Sequence, residues 1–334
     1  MRSTIRQAIK SSPLVGRLAW LIYREVLLQR SLHPPKGQIP AFSGDTQLTP
    51  VKLRRFEDYQ LWSQMVAVEL EQQKKIVSSL STLRPKPFSL PGTCALCRSK
   101  TTFRINFDYS VKGTDSRFWP NLRESLACGQ CGLKNRLRGA LHLLVQEFRP
   151  EPGQSIYITE QLGAAFRWLK GRYPSVVGSE YLPENGPFGT SRRGIRNENL
   201  GSLTWPSSRF DFILSFDVLE HVPDVAACFS EIFRCLRPGG RLLFTAPFRL
   251  DLQETLVRAT ADGAGKITHL LEPEYHGGNL SDTSKGTLCF RHFGWDTLQQ
   301  LESVGFSDAE AWLYWSRELG YLGGTQVVIA ARKN

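Results

Sequence analysis

The stretch Phe210-Asp-Phe-Ile-Leu-Ser-Phe-Asp-Val-Leu-Glu-His-Val-Pro-Asp224 decides the fold of this chain. Its apolar run from Phe212 to Phe216 predicts a buried strand, and Val225 to Cys235 is predicted to form the helix that follows. The next segment, Leu236-Arg-Pro-Gly-Gly-Arg-Leu-Leu-Phe-Thr-Ala-Pro247, predicts a turn and a strand over Arg241 to Ala246. A strand, a helix and a second strand in this order predict a βαβ unit with parallel strands.

Strand and helix patterns alternate on both sides of this unit. The predicted elements are a strand at Ser155–Thr159, a helix at Gly163–Arg172, a strand at Val176–Ser179, a helix at Trp295–Val304 and strands at Ala309–Trp315 and Thr325–Ala331. The last two strands flank a glycine-rich turn, Gly320-Tyr-Leu-Gly-Gly324, which predicts a closing antiparallel hairpin. We therefore predict an α/β fold with a doubly wound sheet, in which ligands bind at the carboxyl ends of the strands.

The motifs from Phe210 to Pro247 resemble class I S-adenosylmethionine (SAM)-dependent methyltransferases, in particular the type 11-like group. The resemblance implies a Rossmann-like, seven-stranded methyltransferase sheet for residues 151–334, with SAM as the cofactor. It implies a set of cofactor-binding residues at the strand ends. These are Glu160, Gly163, Glu180, Tyr181, Glu198, Asn199, Phe216, Asp217, Val218 and His221.

The first cofactor loop departs from the pattern of the family. It consists of Thr159-Glu-Gln-Leu-Gly-Ala-Ala165, so Glu160 stands at the acidic position and Gly163 alone survives of the glycines. Glu180 follows the second strand, where an acidic residue accepts hydrogen bonds from both ribose hydroxyls. Asn197-Glu-Asn-Leu200 resembles the loop that meets the adenine, which implies that Glu198 or Asn199 binds the adenine amine. Glu160 and Glu198 also suit solvated loop carboxylates, and His221 suits either a loop-orienting or a substrate-binding role.

Two identical CxxC pairs, Cys94/Cys97 and Cys128/Cys131, predict a second module over residues 85–150. Two thiolates from each turn complete a tetrahedral Zn²⁺ site, and four cysteines leave no open position, which indicates a structural metal. The 30 residues between the pairs exceed the usual spacing. The stretch Trp119–Arg136 resembles the zinc-bearing front end of a bacterial group of methyltransferases, and this wider likeness runs from about residue 90 to the end.

The segment Arg249 to Arg291 lies where a methyl acceptor is expected. It contains His269-Leu-Leu-Glu-Pro-Glu-Tyr-His276, which is dense in groups that exchange protons. Histidine suits a general base at neutral pH, so His269 and His276 are the candidate catalytic residues. A second metal site and purely structural histidines are the alternatives. Pro273 breaks the helical spacing that would align metal ligands.

Residues 1–84 are predicted to form a basic helical region, with helices at Ile5–Arg30 and Phe56–Leu80. Residues 1–84 carry 13 Lys and Arg against 6 Asp and Glu, residues 85–150 carry 11 against 4, and residues 151–334 carry 18 against 21. The basic half indicates either an anionic partner or a solvated surface. The first helix also suits peripheral membrane contact by residues 1–30, although packing on the protein is the favoured interpretation.

The sequence contains no apolar run long enough to predict a transmembrane helix, and its odd count of seven cysteines fits a reducing, cytoplasmic setting. We predict a SAM-dependent methyltransferase that modifies a small molecule or glycan precursor, by O-methylation, with a structural zinc. A nucleic-acid methyltransferase is one alternative, because the first half is basic. A non-catalytic, methyltransferase-like binding protein is the other, because the glycine loop is eroded.

Overall fold

The buried strand predicted around Phe212 lies near the middle of a seven-stranded sheet. The computed structural model describes residues 46–277 and 286–334. The predicted helix at Ile5–Arg30, with its membrane contact, lies outside these residues. Within the described ranges, no helix is long and apolar enough to cross a membrane.

Strands outnumber helices in the part of the chain that the structure describes. The α-helices are α1 (Phe56–Met65), α2 (Ala67–Ser78), α3 (Asn135–Leu143), α4 (Ala164–Lys170), α5 (Val225–Cys235) and α6 (Asp296–Val304). The strands are β1 (Val51–Leu53), β2 (Phe88–Cys94), β3 (Ser99–Ile105), β4 (Val111–Lys112), β5 (Phe118–Trp119), β6 (Ala127–Cys128), β7 (Ile156–Ile158), β8 (Val177–Gly178), β9 (Ser191–Arg192), β10 (Ile195–Arg196), β11 (Phe210–Phe216), β12 (Leu236–Thr245), β13 (Leu256–Val257), β14 (Ala259–Ala261), β15 (Ile267–His269), β16 (Tyr275–His276), β17 (Thr287–Leu288), β18 (Arg291–His292), β19 (Phe306–Ser316) and β20 (Tyr321–Lys333). Single helical turns of other types occupy Leu144–Phe148, Pro183–Asn185 and Leu219–His221.

The central sheet has the strand order β1-β19-β20-β12-β11-β7-β8. Strands β8, β7, β11 and β12 are parallel, whereas β20, β19 and β1 pair antiparallel. The predicted α/β fold with a parallel core and a closing hairpin is therefore confirmed. Each predicted element of residues 151–334 is present, with ends that differ from the prediction by a few residues.

The seventh strand of the sheet comes from a region that we predicted to be helical. Strand β1 pairs with β19, and Arg54 next to it donates to Glu310 at 2.9 Å and to Asp308 at 3.2 Å. The single helix predicted over Phe56–Leu80 is two helices, because the backbone leaves helical geometry at Val66. A three-residue strand carries too little hydrophobic periodicity to stand out before its partner strand is known.

The cysteine region covers one face of the central sheet. Side chains alternate along β11, so Phe212, Leu214 and Phe216 face the core cluster that contains Cys94 and Cys128. Strands β2, β3 and β6 form a three-stranded antiparallel sheet within this region. The opposite face of β11 packs with α5 and α6 in the second core cluster.

The buried guanidinium group of Arg138 joins helix α3 to the hairpin of β19 and β20. Its Nη1 donates to the carbonyl of Leu319 at 2.7 Å, and its Nη2 donates to the carbonyl of Gly320 at 2.8 Å. It also donates to the carbonyl of Leu126 at 3.2 Å and lies over the ring of Phe103 at 4.1 Å. A buried cation with this many partners links three separate segments.

We expect Arg138→Ala to lower the free energy of unfolding by about 3 kcal/mol or more, because it leaves three buried carbonyl groups without a charged donor. Urea denaturation followed by circular dichroism measures the loss. The control is Arg104→Ala, which removes an exposed arginine from the same region and is expected to change stability by no more than about 0.5 kcal/mol. Equal effects of the two substitutions would contradict the assigned role.

Candidate functional site

Carboxylates follow the carboxyl ends of three neighbouring parallel strands. Glu160 lies two residues after β7, Glu180 two residues after β8, and Asp217 directly after β11. Because β8, β7 and β11 are adjacent and parallel, these ends lie at one edge of the sheet. This edge is where doubly wound folds bind their ligands.

Backbone amides hold the side chains of Glu160 and Glu180. The amide of Phe216 donates to Glu160 Oε1 at 3.1 Å, and the amide of Leu162 donates to Glu180 Oε1 at 2.6 Å. Burial raises the pKa of Glu160 to about 8 and the pKa of Glu180 to about 7. A ligand that donates hydrogen bonds to these groups, or that carries positive charge, favours their ionised form.

Asp217 forms the centre of a buried ion cluster. Its carboxylate pairs with the guanidinium groups of Arg123 and Arg136, and Arg136 Nε also donates to Glu124 at 2.6 Å. Burial alone raises the pKa of Asp217, but the two guanidinium groups outweigh it and lower the pKa to about 2. The backbone of Asp217 has a φ of 58°, in the left-handed region that side chains other than glycine rarely adopt.

In the predicted adenine loop, hydrogen bonds within the loop occupy the side chain of Glu198. Arg196 Nε donates to Glu198 Oε1 at 2.7 Å, and the amide of Thr204 donates to Glu198 Oε2 at 2.9 Å. Both oxygens of buried Glu198 are thus engaged within the protein. Asn199 is half-buried, and its Oδ1 accepts from the amide of Gly201 at 3.0 Å. The contact with adenine stays a prediction, and exposure favours Asn199 over Glu198.

The remaining predicted cofactor residues are distributed around the same strand ends. Gly163 immediately precedes helix α4, and Val218 is half-buried next to Asp217. Tyr181 is exposed, and its ring stacks on that of Phe188 with centroids 5.8 Å apart. The structure places these residues near the strand ends, and their contacts with the cofactor stay predictions.

The two candidate catalytic histidines lie in different settings. His276 lies beside His221, with ring centroids 5.4 Å apart, and its Nε2 is 2.6 Å from Glu274 Oε1. His269 lies on the exposed strand β15. The structure therefore brings His276, and not His269, to the turn that follows β11. A catalytic role stays a prediction for either residue.

The four predicted metal ligands converge between β2, β3 and β6. The Sγ atoms of Cys94, Cys97, Cys128 and Cys131 all lie within 4.8 Å of one another, and none forms a disulfide. The Sγ atoms of Cys97 and Cys128 are 3.8 Å apart, and the amide of Gln130 donates to Cys128 Sγ at 3.4 Å. Four thiol ligands at this separation fit the tetrahedral coordination of a single ion.

Several polar residues of the site were not predicted from sequence. Arg123 and Arg136 lie within the quoted stretch Trp119–Arg136, but their partner Asp217 is far away in sequence. Glu220 is 1% exposed in the turn after β11. His292 Nε2 lies 3.0 Å from Glu274 Oε1. Such pairings carry no local sequence signal, because they depend on segments that only folding brings together.

Residues 162–244 match the sequence model of the family described as "Methyltransferase domain". A probable S-adenosylmethionine-dependent methyltransferase of Mycolicibacterium smegmatis is 44% identical over 87 residues, which are 24% of this chain and 34% of that protein. Sterol 24-C-methyltransferase of Aspergillus fumigatus is 24% identical over 167 residues, which are 46% of this chain and 42% of that protein. The chain thus spans less than half the length of these curated relatives.

Several methyltransferases are among the solved structures that are similar to this chain. An S-adenosylmethionine-dependent methyltransferase from Mesorhizobium loti is 20% identical, with 59% of this chain and 100% of that chain covered and a TM-score of 0.36. The 1,6-didemethyltoxoflavin-N1-methyltransferase of Burkholderia thailandensis is 17% identical, with 60% and 78% covered and a TM-score of 0.34. Both scores are low, so the assignment rests on the sequence matches. Residues 162–244 are therefore similar in sequence to the methyltransferase domains of these proteins.

We expect Arg136→Gln to destabilise the protein by about 3 kcal/mol at pH 7, because it leaves the buried Asp217 carboxylate with one cationic partner fewer. A carboxyl group with a lowered pKa stabilises the fold above its unfolded pKa of about 4, and this contribution disappears as pH falls through the folded pKa. The difference between variant and parent should therefore persist from pH 7 to pH 5 and shrink between about pH 4 and pH 2.

The matched control is Arg237→Gln, which removes an ion pair of 2.9 Å between exposed Arg237 and Asp211. An exposed pair contributes no more than about 1 kcal/mol. Chemical denaturation at each pH measures both variants. A loss for Arg136→Gln that is as small as the loss for the control, or that does not vary with pH, would show that the buried cluster does not stabilise the fold.

Proposed function

We propose that this chain transfers the methyl group of SAM to a hydroxyl group of a small molecule, and that the four cysteines hold a structural zinc ion. One observation carries the proposal. The segment that matches the methyltransferase family, residues 162–244, is the segment that contributes Glu180, Phe216 and Asp217 to one edge of the parallel sheet. Sequence match and ligand-binding geometry therefore coincide.

The carboxyl groups at the strand ends suit a cofactor that is both cationic and rich in hydroxyl groups. Glu180 is placed to accept hydrogen bonds from the ribose hydroxyls, since it follows the second parallel strand. Glu160 lies beside it, and its raised pKa indicates a carboxyl group in a poorly solvated setting. The positive charge of SAM compensates such a group when it ionises. Phe216 and Asp217 supply the backbone that borders the methyl donor.

A small-molecule acceptor is supported by the names of the relatives. They act on a sterol in Aspergillus fumigatus and on demethylmenaquinone in Deinococcus radiodurans; the latter enzyme is 30% identical over 127 residues, with 31% of this chain and 53% of that protein covered. These names support a small molecule as the acceptor, whereas the hydroxyl group and the glycan precursor are our own proposal. Methyl transfer from a sulfonium is an in-line displacement, in which alignment of the two reactants supplies most of the rate. His276 is our candidate for orienting or deprotonating the acceptor.

The basic first half gives less support to a nucleic-acid acceptor than its charge count indicates. Arg123 and Arg136 pair with Asp217, and Arg138 is fully buried. These three cations neutralise or anchor groups inside the protein. They therefore contribute little to a surface that would attract an anionic partner.

The cysteine cluster supplies folding energy and not chemistry. Zinc bound by four thiolates has no open position for substrate or water. Such an ion does not take part in a reaction and only holds the surrounding turns together. Cys94 and Cys128 belong to the same core cluster as Leu214 of the central sheet. A metal at this position would therefore stabilise the cysteine region, which packs on that face of the sheet and contains Arg123 and Arg136.

Binding of S-adenosylhomocysteine tests the proposal. Isothermal titration calorimetry should detect binding, and Glu180→Gln should weaken it at pH 8 by about tenfold or more, because a charged acceptor of the ribose hydroxyls is lost. The loss should be smaller at pH 6, since the pKa of about 7 leaves Glu180 largely protonated there in the parent protein. Glu160 titrates in the same range and the charge of Glu180 helps to raise its pKa, so the change with pH reports on both carboxyl groups.

The matched control is Glu184→Gln, an exposed carboxylate four residues further along the chain, which should leave affinity unchanged at both pH values. No heat and no thermal shift at millimolar S-adenosylhomocysteine would overturn the enzyme assignment in favour of a non-catalytic, methyltransferase-like binding protein. Equal affinity of parent and Glu180→Gln at pH 8 would remove Glu180 from the cofactor site.

Metal analysis tests the zinc proposal. The purified chain should contain about one zinc ion per molecule, and Cys128→Ser should lower the metal content and the stability together. Cys228→Ser is the control, since Cys228 is buried in the other core cluster and should leave the metal content unchanged. Full stability after complete removal of the metal by a chelator would contradict a structural role.

A further inference from the structure

Three side chains, two from the turn after β11 and one from strand β16, converge in one place. One ligand atom from each of Glu220, His221 and His276 lies within 4.8 Å of the ligand atoms of the other two. His221 Nε2 is 3.7 Å from Glu220 Oε1, and the rings of His221 and His276 meet edge to face. The cluster adjoins Asp217, at the edge of the sheet where the cofactor is proposed to bind.

The surroundings of the two imidazole rings fix which nitrogen carries the proton. His221 Nδ1 is 2.8 Å from the carbonyl oxygen of Leu288, and a carbonyl only accepts, so Nδ1 donates the proton. Nε2 of a neutral His221 is then left with a lone pair. His276 Nε2 lies 2.6 Å from Glu274 Oε1, which leaves Nδ1 as the nitrogen for another partner. Histidine ligands of metals are oriented in this way by a carbonyl or carboxylate on their other nitrogen.

Glu220 supplies the second, independent observation. Its side chain is 1% exposed, and its Oε2 has no hydrogen-bond partner within the part of the chain that the structure describes. The guanidinium groups of Arg123 and Arg136 pair with Asp217 and Glu124 and not with Glu220. A buried carboxylate without compensation is strongly unfavourable, so the environment of Glu220 calls for a cation or a proton.

We propose that Glu220, His221 and His276 bind a divalent first-row transition-metal ion at the acceptor side of the methyl-donor site. Two imidazole nitrogens and one carboxylate oxygen form a ligand set that suits Mn²⁺, Fe²⁺, Co²⁺ or Zn²⁺ and leaves coordination positions open. This ion is distinct from the one held by the four cysteines, whose coordination is complete. Glu274 is a positioning residue for His276, and Arg258 at 3.3 Å holds Glu274 in turn.

The open positions give the ion a role that rests on the proposed function. A hydroxyl group of the acceptor that binds the ion loses its proton to solvent more readily, because the metal stabilises the alkoxide. The oxygen lone pair then forms the bond to the methyl carbon, the carbon–sulfur bond breaks, and its electron pair stays on sulfur to give S-adenosylhomocysteine. The acceptor class is thereby narrowed to molecules with a hydroxyl group that can approach both the ion and the methyl group.

Titration with Co²⁺ tests the site without any need for methyl transfer. The full chain, with its cysteine cluster already loaded with zinc, should bind one additional Co²⁺ by calorimetry. Visible absorption should show d–d bands without a new thiolate-to-metal charge-transfer band, because the ligands are nitrogen and oxygen. Glu220→Gln keeps the shape of the side chain and removes its charge. This change and His276→Ala should each weaken Co²⁺ binding by about 100-fold, at the upper end of what a change near a metal costs.

Two control variants decide between this cluster and its neighbour. His269→Ala removes an exposed histidine from the same segment and should bind Co²⁺ like the parent. His292→Ala should also bind it, because His292 belongs to the adjacent cluster of Glu274, His276, Cys289 and His292. A charge-transfer band, or loss of binding in His292→Ala with binding retained in Glu220→Gln, would place the ion in that adjacent cluster and overturn the proposal.

No additional Co²⁺ binding would overturn the proposal outright. The measurement is made without SAM or S-adenosylhomocysteine, so its outcome is separate from that of the cofactor titration. Binding of S-adenosylhomocysteine without a second metal would leave the methyltransferase proposal standing and remove the ion. A second metal without binding of S-adenosylhomocysteine would leave the metal site standing and remove the methyltransferase proposal. Circular dichroism of each variant confirms that it folds like the parent.

Discussion

The buried pairing of Asp217 with Arg123 and Arg136 is the interaction on which the site depends. It joins the end of the central strand β11 to two arginines that lie far earlier in the chain, of which Arg123 is 94 residues away. The same pairing holds Asp217 in a left-handed backbone conformation, which costs about 1–3 kcal/mol and persists only where the surroundings impose it. The loop that borders the proposed methyl donor is therefore shaped by the cysteine region as much as by its own sequence.

This arrangement gives the four cysteines a structural role in the proposed methyltransferase. The four sulfurs lie close together beneath the face of the sheet that Leu214 occupies, and Arg138 anchors helix α3 of the same region to the C-terminal hairpin. Rigid attachment at these two places fixes the backbone from which Arg123 and Arg136 extend. A buried charge cluster stabilises a fold only when its geometry is held accurately, since the desolvation cost of each charge is large. The cysteine region thus contributes charged side chains to the surroundings of Asp217.

The charges of the chain show how composition and structure differ. Counting Lys and Arg assigns the basic character to the first half, and this count is correct. The structure shows that Arg123, Arg136 and Arg138 serve internal partners. The histidines show the same difference. His269 and His276 are close in sequence, but His269 is exposed on β15, whereas His276 lies on β16 and contacts His221. Their closeness in sequence suggested a common role for His269 and His276. The strands place the two side chains in different surroundings, so only His276 reaches the site.

The sequence by itself determined the βαβ core, the closing hairpin and the pairing of two CxxC motifs, because hydrophobic periodicity, turn glycines and ligand spacing are local signals. It also placed Glu160, Glu180 and Asp217 after strands, so their convergence followed from the parallel order of the sheet. Only the tertiary structure decided that β1 completes the sheet, that Asp217 is neutralised by the cysteine region, and that Glu220, His221 and His276 meet. These features are long-range pairings of charge and lone pairs. Their energies depend on burial and distance, which no short stretch of sequence encodes.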